Sequence, residues 1–401
     1  MISLKGWHNY LFFTFLTLIV VALLFVSDTL SISYKESLTY FNDSSLLNKL
    51  THFSTTIFGH NNIALRIPFI AFYALSCILM YVITKDYFKN ETDRLLCALL
   101  FMVLPGVVSA SLLVNNAVIV IFCVLLYLYY YKIYNTHNYF LLILFLFIDN
   151  SFAILYLTLF FYSLKKRENL LLCISLVLFA LSMYIYGFDS GGKPKGHFLD
   201  TITIYASIFS PIIFLYYIYA MYRIGIKGTK TIYWYISIVA LLFSLIFSFR
   251  QRILIEDFAP FVVITFPLMM KYFFHTLRIR LPQFRYKHYN MSYTALFLLV
   301  LSVVVILFNK PLYLLIKNPE DHFAYKYHFA ADIAQHLKKN NINYIDSDNY
   351  KLENRLKFYG IKNGNKYFIT LTKPAVYMLE VPLKVMDKKV LNLYVVNLDK
   401  Y

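Results

Sequence analysis

The chain has 401 residues, 60% of them hydrophobic and only 15% charged, with a mean hydropathy of +0.59. That much apolar sequence excludes a soluble globular protein of this length. The formal charge of +17 would suggest nucleic acid in a soluble chain; here the cations fall in short loops between apolar runs, so orientation in a lipid bilayer explains them and no nucleic-acid partner is expected.

A spanning helix needs roughly 20 mostly apolar residues. In chain order such runs occupy 8–27, 63–83, 94–113, 115–131, 139–164, 170–186, 203–223, 232–249, 257–275 and 291–309. No small-residue cleavage site follows the first run, Leu11 to Val26, which reads as a span rather than a signal peptide. The 139–164 run follows Lys132 and ends at Lys165-Lys166-Arg167, so both flanks look cytoplasmic. Asp149-Asn150 in its middle predicts a turn and two short helices. The expected fold class is an all-α polytopic membrane protein of about eleven spans over residues 1–309, followed by a small α/β domain over 310–401.

With Lys5 inside, the inner loops hold Lys85, Lys89 and Arg94, then Lys132, then Lys165 to Arg167, then Arg223, Lys227 and Lys230, and finally Arg278, Arg280, Arg285 and Lys287. That distribution obeys the positive-inside rule. The outer segments are then 28–62, 187–202, 250–256 and the tail. Cys77, Cys97, Cys123 and Cys173 lie in apolar runs without metal-ligand spacing; they read as small core residues, and no metal site is expected.

The first outer segment carries Lys35-Glu36, with Glu36 its only acid before Asp43. A carboxylate held at a membrane surface can act as a general base toward an acceptor hydroxyl or amine; the competing reading is a solvated acid neutralised by Lys35. Asp43-Ser44 is placed to cap a helix with Leu46, Leu50, Phe53 and Ile57 on one face and Asn48, Lys49, Thr51 and Thr55 on the other. So short and two-faced a helix should lie in the membrane interface, ending at Gly59. Arg66 follows at the mouth of the second span, as a ligand contact or a snorkelling anchor. Gly191 to His197 brings Lys193, Lys195 and His197 into a Gly/Pro loop that reads first as an exposed turn and alternatively as a grip for phosphate. Arg250 and Arg252 stand on the outer face, where arginine is unusual. Their planar donor forks suit a phosphate headgroup, unless Glu256 and Asp257 neutralise them.

In the tail, Ala324 to Lys339 has helical spacing, with Ala330, Ile333, Ala334 and Leu337 on one side. Asn343 to Asp346 reads as a strand, Tyr350 to Tyr359 as a helix, and Tyr367 to Leu371 and Val390 to Val396 as strands.

The order of these features resembles the GT-C superfamily of membrane glycosyltransferases, in the bacterial branch related to protein O-mannosyltransferases and lipid A aminoarabinose transferases. Lys35-Glu36 falls where the family has an acidic pair. Ile57 to Pro68 looks like its entry into span two, Leu104-Pro105 to Asn116 like the next segment, and Ser248 to Pro260 like a late arginine-and-proline segment. Two departures stand out: Lys35 replaces the first acid, and Leu46 to Phe53 lacks the family's prolines.

The resemblance implies a GT-C-like domain at the bacterial inner membrane with a periplasmic tail domain. The implied activity is hexosyl or pentosyl transfer from a polyprenyl-phosphate-linked sugar to a lipid, glycan or protein acceptor, with no cofactor. Glu36 would be the base. Arg250, Arg252 and Arg66 would hold the donor phosphate, and Lys35, Lys193, Lys195, His197 and Glu256 are candidate substrate contacts. Two other readings remain: a transporter or flippase of polyprenyl-linked saccharides, and a catalytically degenerate GT-C-like protein.

Overall fold

The computed structural model describes residues 6–43, 45–187, 196–385 and 388–398. In chain order the helices are α1 (Trp7–Thr29), α2 (Tyr34–Asn42), α3 (Leu46–Phe58), α4 (Asn62–Ile83), α5 (Glu91–Met102), α6 (Pro105–Leu112), α7 (Ala117–Tyr134), α8 (Tyr139–Leu146), α9 (Phe152–Lys166), α10 (Asn169–Tyr186), α11 (Phe198–Phe209), α12 (Pro211–Lys227), α13 (Ile232–Ser248), α14 (Ile255–Val263), α15 (Phe266–Ile279) and α16 (Pro282–Leu307). The tail adds α17 (Ala330–Lys339), β1 (Tyr344–Ser347), α18 (Tyr350–Phe358), β2 (Lys362–Thr370), β3 (Leu379–Val385) and β4 (Lys388–Asn397). The chain divides into two compact units, one of Met1–Val21 with Phe69–Val303 and one of Ala22–Pro68 with Val304–Tyr401.

Each run read as a span is a helix or a bent helix pair. Five helices are long and apolar enough to cross a membrane singly, and three bent pairs bring the number to eight; α8, α9 and α13 are shorter. The bends have local causes. Pro105 starts α6 after a 48° break, and α11 turns through 103° into α12 where Ser210 takes φ +79° ahead of Pro211. The turn expected at Asp149-Asn150 separates α8 from α9. These helices make a multi-pass membrane protein.

Within the helical unit, large aromatic side chains fill the core, and three of the buried tyrosine hydroxyls there illustrate how acceptors are supplied. Tyr73 donates to the Met102 carbonyl (2.8 Å), Tyr81 to Asn9 (2.6 Å) and Tyr205 to Ser244 (2.9 Å). A buried hydroxyl without a partner would cost about 1–3 kcal/mol, so this aromatic packing depends on the polar groups placed opposite. Cys77, Cys97 and Cys123 are buried as expected, whereas Cys173 is exposed, because it lies on an outward face of α10 rather than in the core.

The helical unit has two distinct ends. At one, α9 begins, α13 finishes, and the His197 amide donates to the Ser248 carbonyl (2.8 Å). At the other, Lys166 of α9 and Thr231 ahead of α13 line a cavity of about 960 Å³ together with Lys89, Lys132, Lys271 and Arg278. Within this unit, His197 and the turn after α13 thus lie at one end of α9 and α13, and Lys89, Lys132, Lys166, Lys271 and Arg278 line a cavity at the other.

In the second unit the sheet has the order β1-β2-β4-β3, with β1 parallel to β2 and the remaining pairs antiparallel. Ile333, Ala334 and Leu337 of α17 are buried in its core beside Ile345, Ile369 and Val395. Residues 30–36 are stitched to the tail: the Ser31 amide donates to Tyr327 O (2.7 Å), Arg355 Nε to Ile32 O (2.8 Å), and the Ile32 amide to the Tyr359 hydroxyl (3.0 Å).

Helix α3 departs from expectation twice. Its N-cap is Ser45, which accepts from the Asn48 amide (3.4 Å) while Asp43 braces the Ser45 amide (3.1 Å); Ser44 lies outside the described residues. Its polar side faces inward: Thr51, Ser54 and Thr55 are buried, with Thr55 Oγ1 bonded to the Tyr40 hydroxyl (3.0 Å), while Phe53, Ile57 and Phe58 are exposed. An outward apolar ridge on a short helix is the arrangement an interfacial helix presents to acyl chains. Gly59 ends the helix at φ +83°, a conformation that favours glycine.

Candidate functional site

At the α9–α13 end of the helical unit lies a cavity of about 320 Å³. Its polar wall is Asn150 and Ser151 at the start of α9, Gln251 and Arg252 from the turn after α13, and Asp257 in the first turn of α14. Its apolar wall includes Phe179, Phe243, Phe247 and Phe258. The turn forms where α13 stops at Ser248: the Arg250 and Gln251 amides both donate to the Phe247 carbonyl (3.0 Å each), and residues 252–254 lead without regular structure into α14 at Ile255. Two helix N-termini thus face the cavity, and each already has carboxylates beside it: Asp149 accepts from the Ser151 amide at α9, and Glu256 and Asp257 lie in the first turn of α14.

Among the described residues neither Arg250 nor Arg252 forms an ion pair, and both are exposed. The described structure therefore does not show Glu256 or Asp257 neutralising them. An exposed guanidinium beside aromatic walls suits an anionic headgroup with an apolar tail.

Beneath this wall sits a polar cluster that sequence reading did not assign to the site. Asn116 Nδ2 donates to Asp149 Oδ1 (2.5 Å), and the other oxygen of Asp149 accepts from the Ser151 amide (3.1 Å) and hydroxyl. Asp149 thereby fixes the start of α9, and the Oδ1 atoms of Asn116 and Asn150 are buried without hydrogen-bond partners. The signal was available, since an acid inside an apolar run is a functional candidate by default.

His197 joins the same end of the unit. Besides its amide bond to Ser248, its Nδ1 lies 3.0 Å from Asp200 Oδ2, and Phe198 stacks on Phe249 at 4.6 Å between centroids. These contacts bring His197 and Phe198 onto the arginine turn. Lys193 and Lys195 lie outside the described residues.

Glu36 and Arg66 occupy a different environment, in the second unit. Ser33 and Glu36 form a capping box at the start of α2: Glu36 Oε2 accepts from the Ser33 amide (2.8 Å), and Ser33 Oγ accepts from the Glu36 amide (3.3 Å). Arg66 Nη2 lies 3.6 Å from the same carboxylate oxygen, with side-chain exposures of 0% and 3% for the two residues. Arg66 also donates to the carbonyls of Leu30 (2.9 Å), Ser31 (3.2 Å) and Asn62 (3.2 Å). Arg66 is accordingly neither a snorkelling anchor nor open to solvent, and Glu36 is not a solvated acid. Lys35 is exposed and lines a separate cavity.

The 960 Å³ cavity at the opposite end is larger than the arginine cavity, but its lysines are what the positive-inside rule expects of loops read as inner from the sequence. Charge carries less information there than at Arg250 and Arg252.

Residues 46–150 match the model of the dolichyl-phosphate-mannose-protein mannosyltransferase family. The match supports a membrane glycosyltransferase of the GT-C type. It covers two of the segments that carry the GT-C resemblance, from Ile57 to Pro68 and from Leu104 to Asn116, and leaves Glu36 and the arginine turn outside it. Its last residue, Asn150, lines the same cavity as Arg252. A comparison with curated proteins gives no match.

Proposed function

We propose that this GT-C-type protein transfers a sugar from a polyprenyl-phosphate-linked donor to a lipid, glycan or protein acceptor at the outer face of the bacterial inner membrane. One observation carries the donor assignment: Arg252, without an ion-pair partner among the described residues, shares an aromatic-walled cavity with the end of the family-matched segment. Arg252 and Arg250 hold the donor phosphate, and the apolar wall receives the first part of the polyprenyl chain. His197 and Glu256 are candidate contacts at the same end, and the tail domain is periplasmic.

Glu36 is the proposed base, and its burial defines the experiment. Glutamine can replace glutamate in a capping box but cannot take a proton from an acceptor. Purified Glu36→Gln should therefore stay folded, with a midpoint lowered by loss of the charge opposite Arg66, keep donor binding and lose transfer from a synthetic polyprenyl-phosphate sugar. Retained transfer would remove the base role. Failure to fold, or loss of donor binding together with transfer, would make Glu36 a fold residue. The closed Glu36–Arg66 pair also favours a second reading, a degenerate member that binds donor without turnover. Wild-type protein that binds the donor yet transfers nothing to any envelope fraction would establish it.

A further inference from the structure

A cavity of about 370 Å³ lies within the second unit. Residues 33–35 line one side, Tyr325 to Phe329 another, and Asn349, Lys351 and Arg355 of the α18 region a third. Four cationic side chains reach it, Lys35, Lys326, Lys351 and Arg355, and its described lining contains no carboxylate. Lysines and arginines around a cavity without acids raise the local concentration of anions.

Arg355 is fixed in place rather than mobile. Its Nε donates to Ile32 O (2.8 Å) and its Nη2 to His328 O (2.7 Å), and no bond to Nη1 is present among the described residues. Such a clamp orients the guanidinium fork before any ligand arrives, which reduces the ordering cost of binding. Tyr34, Tyr325 and Tyr327 also line the cavity. Their ring faces suit the C–H faces of a pyranose, and their hydroxyls suit its polar edges. The volume falls within the ordinary range for small-molecule sites.

We infer that this cavity binds an anionic saccharide, a sugar bearing phosphate or carboxylate, and that it holds the acceptor during transfer. The acceptor role rests on the proposed glycosyl transfer; the binding itself does not.

The test uses full-length protein in detergent micelles and saturation-transfer NMR, with glucose 6-phosphate and glucose as probes and inorganic phosphate as competitor. Glucose 6-phosphate should bind, glucose should bind at least about ten-fold more weakly, and affinity should fall as salt rises. Lys326→Glu with Lys351→Glu, both at exposed positions, should lower glucose 6-phosphate affinity by about ten-fold or more. Equal binding of glucose, or an unchanged affinity in the double variant, overturns the site. Phosphate displacing the probe as well as unlabelled glucose 6-phosphate does overturns its saccharide character. Transfer and binding measured again in Arg252→Ala separate the two ideas: retained transfer with intact probe binding counts against the donor assignment alone. Intact transfer in the wild type without probe binding counts against this inference alone.

Discussion

Arg66 with Glu36 and Arg250 with Arg252 were singled out by the same logic, charge in segments expected to face the outside, and they ended in opposite surroundings. The first pair is enclosed, with the guanidinium shared among three carbonyls and a carboxylate. The second stands at an open turn beside a cavity, without ion pairs among the described residues. A buried cation already surrounded by acceptors holds a backbone; an exposed one without a counter-charge can still accept a ligand. Burial and partners, rather than charge in a given segment, separate the two roles.

The largest effect that would break this contrast is at Arg66. Arg66→Ala would take the guanidinium from a buried carboxylate and three carbonyls and should destabilise the protein by about 3–5 kcal/mol, read as a large fall in thermal midpoint or failure to accumulate. An unchanged midpoint would mean that the enclosure is not closed in solution.

Acid should weaken the same unit through His328. Its Nε2 lies 3.0 Å from Asn309 Oδ1 and its Nδ1 2.9 Å from the Tyr313 hydroxyl. Since Asn309 Nδ2 donates elsewhere, to Ile306 O, the imidazole donates from Nε2 and accepts at Nδ1, as a neutral ring does. Burial, with His322, Lys310 and Arg355 nearby, pushes its pKa down to about 3. The unfolded ring protonates near its ordinary value of about 6.5, so between those values the unfolded state holds more protons. This stabilisation is complete above the unfolded value and is lost as pH falls toward the folded one. Denaturant titrations at a series of pH values should show the decline, and His328→Asn should flatten it.

At the open site the effect should fall on binding instead. Arg252→Ala should weaken donor binding by about ten-fold or more, as loss of a charge-assisted contact does, while shifting stability by no more than about 0.5 kcal/mol. Equilibrium binding of a short-chain polyprenyl phosphate to the purified variant checks this. A fall in midpoint comparable to that of Arg66→Ala would erase the distinction. The smallest effect belongs to His197→Ala: its Asp200 partner is exposed, so the pair should contribute no more than about 1 kcal/mol to stability, with only a modest loss of donor affinity.

Much of the fold was legible because hydropathy and helical spacing survive in single segments. The spans, the break at Asp149 and the buried side of α17 all follow from local pattern. Strand β3 was missed although Val381, Leu383 and Val385 alternate inward, because Pro382 argues against a strand; the sheet tolerates it by placing β3 at an edge. The inward polar side of α3 was illegible because its partner, Tyr40, belongs to another helix. The capping box was readable as Ser33-x-x-Glu36, but the enclosing Arg66 lies 30 residues on, and no local rule joins them. At the arginine turn, the unusual placement was visible; the polar cluster of Asn116, Asp149 and Ser151 near it needed three-dimensional proximity.

The way residues 22–68 and 304–401 share one compact body bears on how the gene can be dissected. A stop codon after Val303 would not trim an appendage. It would orphan the first outer segment, taking away the Tyr327 carbonyl, Arg355 and Tyr359 that hold residues 31 and 32. A null phenotype from such a truncation would therefore report a half-built body as readily as a missing recognition module, and point substitutions are the cleaner instrument.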